Sequence, residues 1–336
     1  MIALALSLLL TKQTVCFVNA SDEKKPIDAV CPVDGTKFTA FEVKSNRFGG
    51  QDTDFCVHAL KTTPMELWIW VCPTCRFAGQ PADFKLVLSS DEKTALLADL
   101  KPAIEVRKGA KQTDVPGHVK YDLVAQVARI RKAPPERLGL AWLHASWCAR
   151  QQGAVNFEDF VEWDKIRETY ELDKEPIKLG LKKNRTEFDL EAVKKIEKDI
   201  EAKKYEKSPN RILSRYLAAY TWRKHGENVE ALRWLSEVDA MKGENSIVDD
   251  AAARMRASIE LERSYQKKAI DAYVEAIDSK KHSKRLSAET AYVIGELFRR
   301  LGQADSAASW YQTAIDTSEA DDLKKLAGDQ KSKLPK

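Results

Sequence analysis

At 336 residues the chain is long enough for two or three domains. Its 43% hydrophobic and 32% charged residues, with a mean hydropathy of −0.45, describe an ordinary helix-rich soluble protein and exclude an integral membrane bundle. A net charge of +4, from 55 basic and 51 acidic residues, is too small to argue for a nucleic-acid reader, which usually shows a basic stripe.

Residues 1–20 are expected to be an export signal. The apolar run from Ile2 to Leu10 is followed by polar residues and then by Val18-Asn19-Ala20, whose small last residue suits cleavage before Ser21. The run is far short of the roughly 20 residues that span a bilayer. The mature protein is therefore expected outside the cytoplasm and without a membrane span; it would be cytoplasmic if the segment is not a working signal.

Residues 21–88 read as a cysteine-rich, zinc-ribbon-like module. A polar, flexible start from Ser21 to Ala29 leads to Cys31-Pro-Val-Asp-Gly-Thr-Lys-Phe38; Cys72-Pro-Thr-Cys75-Arg-Phe77 follows 41 residues after Cys31. Both are variants of one knuckle, a tight turn that presents two metal ligands. Phe38 to Lys44 and Glu66 to Val71 are β-prone, and a polar loop with Gly49-Gly50, Asp52, Asp54 and Cys56 lies between them. So small a module needs a metal or a disulfide to hold it.

Residues 89–172 change to helical patterning. Ser89-Ser-Asp-Glu92 has capping-box spacing and predicts a helix through Leu100. Val119, Leu123, Val127 and Ile130 predict a second, and Pro134-Pro135 begins a third through Gln151, with Trp142, Ala145 and Ala149 on one side. Asn156 is expected to cap another, with Phe157, Phe160, Val161 and Ile166 apolar. These segments read as a divergent hairpin packed beneath the repeats. Residues 173–186 form a charged connector, and Glu187 to Ala202 predicts a charged amphipathic helix.

From 187 to 320 the pattern is that of a tetratricopeptide array, with copies starting near 212, 250 and 288, a constant offset of 38 residues. In the third copy Gly295 and Ala307 let two helices approach, Gly302 turns the chain, and Tyr311 and Ala314 fill the seam. The shifted positions are Ala257, Ala269, Tyr273 and Ala276, then Ala219, Gly226, Ala231 and Leu235. The fold class expected is mainly α, a solenoid of helical hairpins behind a small β-rich ribbon. Residues 321–336 form a polar tail that can extend as a capping helix.

Several of these residues together resemble a known family. The knuckle at Cys31, the Asp52-x-Asp54 loop, the aromatic strand into Cys72-Pro-Thr-Cys75, and the Ala141-Trp142-Leu143…Ala145-Ser146-Trp147-Cys148-Ala149-Arg150 stretch are similar to the bacterial family called domain of unknown function 2225. The resemblance covers Cys31 to Arg150; tetratricopeptide repeats commonly follow in such proteins. This chain departs from the pattern at Asp34, where a cysteine is usual, and at Arg76, where a glycine is usual. The family implies an architecture and no activity.

Cys31, Cys72 and Cys75 are expected to bind a structural zinc ion. Cys56 is the favoured fourth ligand because it completes a four-thiolate set, with Asp34 or His58 as alternatives. Disulfide pairing in an oxidising compartment, and a redox couple at Cys72 and Cys75, are the competing readings. Cys148 reads as a buried small residue, and His118, His144, His225 and His282 as scattered surface or core histidines. A partner groove is expected on the first helices of the repeats, where Tyr216, Tyr220, Arg223, Lys224, Arg254, Tyr292, Arg299 and Arg300 would face a protein or peptide. The function expected is a non-catalytic interaction scaffold, with no nucleic acid or small-molecule substrate. The alternative is a zinc- or thiol-dependent enzyme, a hydrolase or redox protein, with its chemistry in residues 31–80 and Asp52, Asp54 or His58 as base.

Overall fold

A computed structural model describes residues 24–43, 48–59, 65–102, 109–152, 156–157, 160–172, 185–207, 209–279 and 283–335. The expected export signal, the connector up to residue 184, Cys16 and His282 lie outside the described residues. Among those described there are six short strands and twelve helices. None of the helices is long and apolar enough to cross a membrane.

The front of the chain is three two-stranded antiparallel hairpins. β1 (Lys24–Val30) pairs with β2 (Lys37–Val43) across the first knuckle, with Val30 opposite Lys37. The stretch expected to be a flexible start is thus largely strand: Ile27 packs against the core and Ala29 is buried in it. β3 (Phe48–Gln51) pairs with β4 (Val57–Ala59), and β5 (Trp70–Val71) pairs with β6 (Ala78–Gly79) across the second knuckle. The segment from Glu66 that reads as strand begins instead as a helical turn, α1 (Met65–Trp68). Tertiary bonds override its β propensity. Tyr121 Oη donates to Met65 O at 3.1 Å and Lys120 Nζ to Glu66 O at 2.7 Å.

Helix α2 (Ser90–Asp99) starts at the expected capping box, with Ser89 accepting from Glu92 N and the Glu92 side chain accepting from Ser89 N. Helices α3 (Gly117–Ile130) and α4 (Pro135–Gln152) form an antiparallel hairpin. Asn156 does not cap α5 (Val161–Thr169); its Oδ1 accepts from Trp163 Nε1 at 2.8 Å, so it ties a buried indole to the chain instead.

Helix α6 (Arg185–Glu201) packs on α7 (Asn210–Lys224), which turns at Gly226 into α8 (Asn228–Asp239). The next element is α9 (Ser246–Asp278), one continuous helix of 33 residues, roughly 50 Å long at 1.5 Å per residue. The repeat spacing demanded a hairpin there. The position matching the Gly302 turn is Ser264, inside a run of good helix formers, and nothing breaks the helix. The C-terminal half of α9 instead packs along α4, where Gly139 admits the Tyr273 ring: a Cβ there would lie 2.7 Å from ring carbons. Helices α10 (Lys284–Arg300) and α11 (Ala304–Thr317) turn at Gly302, with Ala307, Tyr311 and Ala314 fully buried in their seam as the spacing predicted. The tail is helix α12 (Asp321–Ser332), closing over α11 through Leu323 and Ala327.

Among the described residues there are two apolar cores. One is continuous from Ala29 and Cys31 of the first hairpin through α3, α4 and α9 to α10–α12. The other joins α5 to α8 with the first half of α9. Among the described residues the ribbon shares its core with the helices and has none of its own.

Candidate metal centre and the buried ion network

The two knuckles superpose in their bonding. Cys31 N donates to Thr36 O (2.9 Å) and Gly35 N to Cys31 O (3.0 Å); Cys72 N donates to Phe77 O (2.8 Å) and Arg76 N to Cys72 O (3.0 Å). The fifth residue of each turn is left-handed, at φ +73° for Gly35 and +66° for Arg76. Asp34 takes the place in the first knuckle that Cys75 takes in the second, and Thr36 N donates to Asp34 Oδ1 at 3.0 Å to fix the carboxylate. Folding brings the turns together. Cys31 Sγ is 3.5 Å from Cys75 Sγ, and Cys72 Sγ is 3.6 Å from both Asp34 oxygens. Cys31, Asp34, Cys72 and Cys75 thus form a group that could hold a metal ion. Hydrogen bonds from Cys31 and Cys75 hold the Cys72 thiol down, while its contact with Cys72 pushes Cys31 up to about 12. Three sulfurs so close resist sharing more than one negative charge unless a cation lies among them.

Cys56 does not join this group. It sits buried between β3 and β4, its Sγ 3.8 Å from Gln151 Nε2, and burial pushes its thiol well up. Its loop turns the other way, into the helices. Asp52 N donates to Cys56 O (2.8 Å), and Phe55 N donates to Asp52 O (2.9 Å) with Phe55 itself left-handed at φ +69°. The loop projects Asp52 and Asp54 onto Arg150 of α4: Nη1 to Asp52 Oδ2 at 3.0 Å and Nη2 to Asp54 Oδ2 at 2.5 Å. Trp147 Nε1 donates to Asp54 Oδ2 at 3.1 Å. Two of the stretches that carry the family resemblance, Asp52-x-Asp54 and Trp147-x-x-Arg150, are therefore the two sides of one contact.

The network continues through the helices. Arg150 reaches Glu262 of α9 at 2.8 Å; Glu262 also binds Arg223 of α7 and accepts from Asn228 Nδ2 at 2.9 Å and Gln266 Nε2 at 3.0 Å. Arg300 Nε lies 3.2 Å from Asp54 Oδ2. His225 Nδ1 meets Asp52 Oδ1 at 2.9 Å and its Nε2 meets Asp189 Oδ2 of α6 at 3.2 Å. His58 Nε2 lies 2.8 Å from Asp52 Oδ1, and Asp52, His58 and His225 make a second group that could hold a metal. Burial alone would raise the Asp54 and Glu262 carboxyls, yet the guanidiniums of Arg150, Arg300 and Arg223 hold them below the usual range. Asp52 is held well down by its two histidines against the same burial. Gly226 makes room for this crowding: at φ +69°, a Cβ there would lie 2.4 Å from Arg150 Cζ.

The expected partner groove is largely closed. Tyr216, Arg223, Tyr292 and Arg300 are almost wholly buried, and Arg299 is mostly so. The inward face of α10 holds the chain's own loop: Tyr292 Oη donates to Thr53 O at 2.8 Å, and Arg299 and Arg300 each place Nη2 3.2 Å from Thr53 Oγ1. Lys224 pairs with Asp189 at 2.7 Å and is partly covered, as is Tyr220. Arg254 remains exposed on α9. Repeat spacing located the inward positions without showing what fills them. Asp189 and Glu262 were missed because isolated acids on amphipathic helices look like solvent-facing charge. His144 packs against Tyr121 and Trp147 with ring centroids 5.0 and 4.9 Å away, and His118 lies 3.4 Å from Tyr265 Oη. Cys148 is buried in α4.

No curated protein and no solved structure matches the chain. A family model described as an uncharacterized protein conserved in bacteria (DUF2225) matches residues 25–259 and 253–334, which span the ribbon, the ion network and the helices behind it. The chain belongs to that family.

Proposed function

We propose that this protein is a non-catalytic scaffold in which a structural zinc ion clips a ribbon and a tetratricopeptide-like helical array holds that ribbon in place. The observation that carries the reading is the spacing within the cysteine group. Tetrahedral zinc with Zn–S bonds of about 2.3 Å and a Zn–O bond of about 2.0 Å sets sulfurs roughly 3.8 Å apart and sulfur and oxygen roughly 3.5 Å apart. The separations of 3.5 Å (S···S) and 3.6 Å (S···O) are close to both. Four protein ligands fill the coordination sphere, which is the mark of a structural site and leaves no position for substrate. Asp34, rather than Cys56, is the fourth ligand.

The helices supply α7–α8 and α10–α11 as repeat-type hairpins, with α4 and α9 taking the place of the pair between them. Their inner face is committed to residues 52–55 of the same chain. A partner protein or peptide is therefore met by the surface left outside, where Arg254 is exposed. The mature chain works after export, in keeping with residues 1–20. An organomercurial titration of the purified protein tests the clip. One zinc should leave after three thiols have reacted, with Cys56 and Cys148 reacting only on unfolding. A Cys31–Cys75 disulfide with no zinc released would overturn it.

A further inference from the structure

Where the Asp52 loop meets α6 and α7, two imidazoles converge on one carboxylate oxygen. His58 and Asp52 come from the ribbon and His225 from the end of α7, and all three are buried. We propose that Asp52, His58 and His225 form a second metal centre, distinct from the cysteine group, for a borderline first-row divalent ion such as Co²⁺, Fe²⁺ or Zn²⁺.

Three geometric facts support it. First, the His58 and His225 nitrogens stand 2.8 and 2.9 Å from Asp52 Oδ1. Ligands at right angles around an ion with bonds of about 2.1 Å are separated by roughly 3.0 Å, so each nitrogen–oxygen pair fits two adjacent positions around one ion, and all three atoms lie within 4.8 Å of one another. Second, His58 Nε2 is close to Asp52 but makes no aligned hydrogen bond, although it is buried. Metal ligands point their lone pairs at the ion rather than at each other, and a short, misaligned nitrogen–oxygen contact is what a shared third centre produces. Two imidazoles bound in this way would have ring centroids roughly 4.5 Å apart for the same bond length. The His58 and His225 centroids are 4.7 Å apart, with planes inclined at 62°.

Third, His225 has an outer partner. Its Nε2 meets Asp189 Oδ2 at 3.2 Å, and Asp189 is itself anchored by Arg185 Nε at 2.8 Å and Lys224 Nζ at 2.7 Å. A carboxylate behind a ligating imidazole fixes its tautomer with the proton on Nε2, so the Nδ1 that lies 2.9 Å from Asp52 Oδ1 carries the lone pair a metal would take. Two nitrogens and one carboxylate oxygen favour a borderline ion over magnesium or calcium, which prefer all-oxygen sets. The ion would join the ribbon to the helix array, since its ligands come from both.

The full-length protein, stripped by chelation under reducing conditions and titrated with Co²⁺, provides the test. Two equivalents should bind: one with an intense near-ultraviolet thiolate-to-cobalt band, and one with weak visible bands alone. Cys72→Ser should remove the first and spare the second, and His58→Gln the reverse. Asp189→Asn should weaken the second about 10- to 100-fold without affecting the thiolate band. The wild-type protein gives a readout that needs no variant. The proton spectrum of its cobalt form should show strongly shifted imidazole resonances, one of them the exchangeable His225 Nε2 proton. If the cysteines prove to be disulfide-linked, the thiolate band is lost but the second equivalent remains, so the two metal readings fail separately. A single, thiolate-bound equivalent with no shifted imidazole signals would overturn the proposal.

Discussion

Replacing Arg150 by methionine removes one guanidinium from the centre of the molecule and keeps most of its volume. Arg150 is fully buried and meets three acids, Asp54 at 2.5 Å, Glu262 at 2.8 Å and Asp52 at 3.0 Å. Each acid keeps other partners: Asp54 retains Trp147 and Arg300, Asp52 retains the two histidines, and Glu262 retains Arg223, Asn228 and Gln266. Their hydrogen bonds survive, but one buried negative charge loses its counter-ion. Breaking a buried pair in that way costs about 3–5 kcal/mol, and the surviving partners place this case near the lower end. Urea unfolding followed by tryptophan fluorescence and far-ultraviolet circular dichroism would measure it. Adding Asp54→Asn to Arg150→Met should recover at least about 1 kcal/mol, because it neutralises the stranded charge. If Arg150→Met changes stability by less than about 0.5 kcal/mol, as a surface substitution would, the reasoning about the network is refuted.

Gly226→Ala forces an alanine into a left-handed turn and its methyl against Arg150 and Arg300. It should cost more than the roughly 1 kcal/mol of the backbone conformation alone, read from the same urea curves. Asp34→Cys restores four thiolates, so zinc should exchange to a competing chelator more slowly than in the parent protein; faster exchange would count against Asp34 as a ligand. His144 is held near pKa 4 by burial, against an ordinary value near 6.5. The unfolded chain therefore takes up its proton first as pH falls, and stability declines between about pH 6.5 and pH 4. Its contribution to that decline is at most about 3 kcal/mol, and less because the residue is only partly covered. His144→Phe should flatten the slope in that window, and an unchanged slope would contradict the assignment.

Much of the helical part was legible because its signals are local. The Ser89–Glu92 box marks a helix start whatever surrounds it, and the small residues at 295, 302 and 307 set a close helix pair and its turn. The second repeat failed on the same logic. Ala257, Ala269, Tyr273 and Ala276 preserve the packing positions, but Ser264 is no turn residue, and α9 runs on unbroken along α4. The cysteine knuckles were visible from their spacing, and Asp34 stood among the candidates for the fourth member behind the favoured Cys56. Ligand type favoured Cys56, while the position of Asp34 within the turn determines which side chain faces Cys72. The ion network was hidden for a different reason. Asp52 and Glu262 are 210 residues apart in the chain, and no periodicity links acids and arginines that meet only after folding. The Asp-x-Asp loop and the Trp-x-x-Arg stretch stood in one resemblance, which was the available hint that they touch.

The ribbon and the helices share one core and the loop at 52–56 is locked into the helices, so the two should unfold as one cooperative body. The direct test is a urea titration of the cobalt-loaded protein that follows the cobalt–thiolate band and the helical ellipticity together. We predict coincident loss with a single midpoint. Loss of the thiolate band well before the helices melt, with Asp52 and Asp54 already released from Arg150, would show a ribbon merely tethered to the array and contradict the account.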